Sequence, residues 1–168
     1  MTNTKLYSSG FAEAKTYIFA AIFVAGNIAL PQLCHLVPRG GLIFLPIYFF
    51  TLVAAYKFGW RAGLLTAVAS PLVNSMLFGM PAADVLPAIL LKSAILAAAA
   101  AYAAHRWRKI ALLPILFAIV VCQAAGALGE WAMSGSLFTA VQDLRIGLPG
   151  IALQLFGGHA VLKLIRNL

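Results

Sequence analysis

The chain has 168 residues, 63% of them hydrophobic and 10% charged, with a mean hydropathy of +0.97. So apolar a composition excludes an ordinary water-soluble domain and predicts an integral membrane protein. The formal charge of +8 does not point to nucleic acid, because the basic residues are scattered between apolar runs rather than gathered in a block.

A helical span takes roughly 20 apolar residues, so this length predicts one domain over 1–168, an all-α bundle of about six transmembrane helices. Open strands cannot satisfy their backbone in lipid, and the alternation of a barrel is absent. The start, MTNTKLYSSGFAEAK, is polar and lacks the pattern of a cleaved signal peptide, so the first apolar run is expected to stay in the mature protein. In chain order the apolar runs cover about 16–36, 41–56, 62–79, 85–104, 110–131 and 144–165. The second is short and carries Pro46, which predicts a partly unwound beginning. Gln154, His159 and Lys163 interrupt the sixth and leave its continuity around Gly157 and Gly158 open.

Alternating the ends of these six runs sorts the charges. One side collects Lys5, Lys15, Lys57, Arg61, Arg106, Arg108, Lys109, Lys163 and Arg166, and the other only Arg39 and Arg145. The positive-inside rule then places both termini in the cytoplasm. Asp84, Glu130 and Asp143 fall on the outer side and Glu13 on the inner one. Trp60, Trp107 and Trp131 stand at helix ends, where indoles anchor to the interface.

The stretch FGMPAADVLPAILLKSA, 78–94, carries the exception, Lys92, a full charge well inside a span. An ionised lysine at mid-bilayer costs on the order of 3 kcal/mol, so it should face the bundle interior or a wet cavity; the alternative is a side chain that snorkels to the outer interface. Asp84 precedes it by about 12 Å of helical rise, on the same face to within about 80°, or caps the first turn of that helix beside Pro87. Asn27, Gln32, Asn74, Gln123 and Gln154 lie near the outer ends of their spans. Each alone reads as interhelical glue; together they suggest an outward-facing polar pocket. Met80 sits in the short GMPAAD loop at the mouth of that pocket, as a flexible apolar wall or a soft ligand. His35, without partners at ligand spacing, reads as a loop histidine, and no metal site is expected. Cys34 and Cys122 read as small apolar residues. No nucleophile triad, zinc motif or P-loop is present, so no enzyme is expected and no cofactor of its own.

The layout resembles the substrate-binding S-component of an energy-coupling-factor (ECF) vitamin transporter. The resemblance rests on six short helices, the A-x-x-x-A of Ala21 and Ala25, and YKFGWRAGLLTAVASPLVNSMLFG over 56–79, whose glycine-flanked basic turn and late Asn74 match that family. It implies a high-affinity receptor in the prokaryotic cytoplasmic (inner) membrane that captures a vitamin or related micronutrient in an outward pocket. Ala21 and Ala25 would dock on the transmembrane coupling subunit, which carries two ATPase subunits. Ligand contacts would fall on Asn74, Met80, Asp84, Lys92 and Gln123. Two ligand classes fit this reading: cobalamin, with Met80 where some members carry a thiolate, or a small carboxylate vitamin such as biotin, lipoate or pantothenate held by Lys92 and Arg39. The rival is a structural membrane scaffold of cell-envelope synthesis with no small-molecule ligand. Lys92→Leu is expected to separate the two, since a scaffold should tolerate it and a receptor that uses the charge should lose affinity.

Overall fold

The computed structural model describes residues 13–167, and among them every regular element is helical. Lys5, one of the expected inner-side cations, lies outside the described residues. Four apolar runs become long helices with ends within three residues of those expected: α1 (Ala14–Cys34), α4 (Trp60–Phe78), α5 (Leu86–Trp107) and α6 (Leu112–Ser134). Three of these, α1, α5 and α6, are long and apolar enough to cross a membrane. The chain is therefore a membrane-type helical bundle. Pro46–Phe58 and Leu148–Leu164 are apolar but shorter.

The second run breaks where Pro46 predicts. A short α2 (Gly40–Phe44) ends at Leu45, which adopts φ 46°, and a 3-10 turn over Pro46–Tyr48 leads into α3 (Phe49–Phe58). A residue before proline is driven out of the right-handed helical region. Leu45 takes the left-handed alternative, unusual for a leucine, and is held there by burial. The chain that packs on this bend is glycine-rich because nothing larger fits. A β carbon on Gly150 would lie 2.4 Å from the Phe44 carbonyl, and one on Gly147 2.6 Å from the Leu45 side chain.

Beyond α6 the expectation needs correcting. The sixth run does not start its long helix at 144. Two single turns come first, α7 (Leu137–Ala140) and α8 (Gln142–Arg145), and the helix begins with α9 (Leu148–Ala152). It passes without a break through a π-helical turn, Leu153–Gly157, into α10 (Gly158–Leu164). Gly157 and Gly158 do not end it; they let it lie against Phe49 and Leu52 of α3.

Contacts fix which ends lie together. Phe19 of α1 stacks on Phe58 at 4.0 Å, the Tyr56 hydroxyl donates to the Lys109 carbonyl at 2.7 Å, and Lys57 Nζ donates to the Arg166 carbonyl at 2.8 Å. The start of α1, the α3–α4 turn, the α5–α6 turn and the end of α10 therefore share one end of the bundle. Lys57 is buried there and not at a solvated interface, its ammonium satisfied by a carbonyl freed at the chain's last turn.

α3 and α4, which one residue, Gly59, connects, approach each other closely. A β carbon on Gly63 would meet Ala55 Cβ at 2.4 Å and Ala55 Cα at 2.6 Å. Gly63→Ala is expected to force the helices apart, cost about 1–3 kcal/mol and lower the melting temperature in detergent. An unchanged melting temperature would refute this close approach.

Candidate functional site

The site begins with a missing N–H. Pro31 stands inside α1, four residues after Asn27, so the Asn27 carbonyl loses the amide that would have bonded it. Asn74 of α4 replaces it: its Nδ2 donates to Asn27 O and to Ser70 O, both at 2.9 Å. Two carbonyls facing Nδ2 settle which way round this amide lies, because the flipped form would point oxygen at oxygen. The Asn27 side chain completes the junction. Its Nδ2 donates to Thr51 Oγ1 and Ser70 Oγ at 3.1 Å, and its Oδ1 accepts the Phe50 N–H from the first turn of α3 at 3.2 Å. Thr66, Ser70 and Asn74 recur every four residues as a buried polar stripe of α4; Ser70 and Asn74 bond Asn27 of α1, whose side chain in turn bonds α3.

One group in this junction is left over. Asn74 Oδ1 is buried and accepts no hydrogen bond from the described residues. Asn74 lines a cavity of about 90 Å³. Pro31 and His35 from the end of α1, Gly41, Pro46 and Ile47 from the bent second segment, and Met80 and Pro81 from the α4–α5 connection form the rest of its wall. Gly41 gives the His35 ring its place, since a β carbon there would come within 2.8 Å of Nε2. Met80 is half exposed at 53% and Asn74 is 1% exposed, so the cavity runs from a mouth at Met80 to a polar deep end. It lies at the end of the bundle away from Phe58, Lys109 and Arg166.

Lys92 lies in a different arrangement. It is buried on α5, its stem packed against Gly126 of α6, where a β carbon would come within 2.7 Å of Lys92 Cγ. Its ammonium pairs with Glu130 of α6 and, at 2.9 Å, with Asp143 Oδ2 of α8. Cys122 donates its thiol to the Lys92 carbonyl at 3.4 Å. One cation thus joins two long helices and the short turns between α6 and α9.

The residues expected to form one pocket are therefore divided. Asn74 and Met80 meet in the cavity. Lys92 is turned instead into the ion cluster, and Asp84 does not accompany it. Asp84 is exposed and precedes α5, whose cap position is Val85, so the shared helical face and the capping role both fail. The reason is the MPAAD stretch, which spends its residues on a turn and delays the helix to Leu86. Gln123 is buried on α6 and Arg39 is exposed before α2; neither lines the cavity. Ala21 and Ala25 are exposed along the outer side of α1, away from buried Ala20, Phe23 and Asn27. Among the described residues no group of three or more His, Cys, Asp or Glu is placed to hold a metal.

Two signals in the sequence point to what was missed. Of four acidic residues in the chain, Glu130 and Asp143 were on Lys92's side of the bundle, and a lysine inside a span needs such partners. A proline four residues after an asparagine marks a freed carbonyl. Comparison with protein-family models, curated proteins and solved structures finds no match to this chain.

Removing the lysine alone should leave two carboxylates facing each other in a largely buried place. Lys92→Met is expected to cost about 3–5 kcal/mol. The triple variant Lys92→Met, Glu130→Gln, Asp143→Asn should recover most of the lost thermal stability. A single variant as stable as the parent would contradict the pairing.

Proposed function

We propose that the chain is a membrane receptor that captures a small micronutrient from outside and hands it inward together with an ATP-driven coupling module, in the manner of an ECF S-component. The observation that carries this reading is the cavity with a buried, unspent acceptor at its deep end. A buried acceptor without a donor costs about 1–3 kcal/mol, which a bound molecule relieves. A scaffold has no use for that arrangement.

In this reading α1, the segment Pro46–Phe58, α4, α5, α6 and Leu148–Leu164 are the six spans. The end gathering Lys15, Arg61, Arg106, Arg108, Lys109, Lys163 and Arg166 faces the cytoplasm with both termini, by the positive-inside rule. The cavity then opens outward. Ala21 and Ala25 are small and outward-facing on α1, which suits close approach of a coupling subunit's helix in lipid.

The cavity has room for roughly half a dozen water-sized groups, which favours a small vitamin or a single ring of one over a corrinoid. Lys92 is not the counter-charge for a ligand carboxylate, because Glu130 and Asp143 already take that place. Protein purified from membranes of cells grown on rich medium is expected to carry a small molecule identifiable by mass spectrometry. Repeatedly empty protein that shows no thermal shift with a vitamin panel would sink the receptor reading.

A further inference from the structure

The ion cluster and the cavity differ in what they offer a ligand. In the cluster the charges are already paired. In the cavity no Asp, Glu, Lys or Arg contributes to the wall among the described residues, and His35 is the one side chain there able to carry charge. Proline, isoleucine and methionine supply flat or flexible apolar surface around a single spare amide oxygen. That oxygen cannot become a donor. The Asn27 and Ser70 carbonyls hold the NH₂ end of Asn74 from two sides, so the amide cannot turn over to suit a ligand acceptor.

We infer that this cavity binds an uncharged, flat ring bearing an N–H or O–H donor, which bonds Asn74 Oδ1 while its faces lie against Pro31, Pro46 and Met80. This specifies the ligand class at the site of the proposed receptor and rests on that reading. It also excludes the carboxylate end of a vitamin from this position. An anion would meet a fixed acceptor with no lysine or arginine in the wall to offset it, which is unfavourable in low dielectric. An acidic micronutrient would have to keep its charged group toward the mouth, outside this wall.

The test uses the full chain in lipid nanodiscs and three probes of one-ring size: uracil, 1,3-dimethyluracil and benzoate. Binding is read by saturation-transfer NMR. Uracil is expected to bind, with the two others at least tenfold weaker, because methylation removes the donors and benzoate brings a charge. Asn74→Leu should abolish the preference for uracil. That variant also removes the bonds to Asn27 and Ser70 and can fail to fold, so Met80→Trp, at the half-exposed mouth, is the companion: it should weaken uracil at least tenfold by filling the entrance. Equal binding of uracil and its dimethyl form, preference for benzoate, uracil binding untouched by Met80→Trp, or no binding by any probe would each overturn the inference. The receptor reading is judged separately by copurification. A copurified carboxylate that has no uncharged ring bearing an N–H or O–H donor, displaced by Met80→Trp, would overturn the ligand class and keep the receptor.

Discussion

The bundle's polar interior depends on the carbonyl of Asn27, which Pro31 leaves without its helical partner. In water such a carbonyl would be solvated and of little consequence. In an apolar bundle it has to be satisfied by protein, and it recruits the Asn74 amide from another helix. Everything nearby follows from that bond. Asn27 and Asn74 lock α1 to α4, the Asn27 side chain receives the first free N–H of α3, and the broken second segment is held at the height where Pro46 and Ile47 reach the cavity.

The same bond decides the chemistry of the site. An asparagine with both amide hydrogens committed is a fixed acceptor, whereas a free one adapts to either partner. Polarity in this protein is thus separated by kind. Hydrogen-bonding groups gather between α1, α3 and α4, and ionised groups between α5, α6 and α8, where Gly126 gives the lysine stem room. The ion cluster braces the turns that join α6 to the last helix. The cavity lies on the other seam, and its neutrality is a consequence of where the charges were placed.

Much of this architecture was legible in the sequence because lipid makes hydropathy so informative. The runs that became α1, α4, α5 and α6 were bounded by charges or glycines, and Pro46 announced the break in the second segment. The boundary that moved furthest has a local cause: residues 137–145 form separate turns before the last helix begins at Leu148. The site was only half legible. Asn74 and Met80 could be picked out by depth and loop position, but not the unspent acceptor, which exists only because Pro31, 43 residues earlier, displaced a bond. Lys92 faces the bundle interior as expected, but its charge meets Glu130 and Asp143, far along the chain yet near in space, rather than the cavity. Loss of this one charge cannot tell a receptor from a scaffold. Lys92→Leu does not separate them, since stripping the cation from two carboxylates damages either kind of protein.

The most direct measurement is an experimental structure, by cryo-electron microscopy or crystallography, of the protein with the molecule it retains on purification. Density for an uncharged ring is predicted within the wall formed by Pro31, Pro46 and Met80, with a donor atom about 3 Å from Asn74 Oδ1 and the Lys92 cluster closed. A molecule bound instead against Lys92, with Glu130 or Asp143 displaced and the cavity empty, would contradict it.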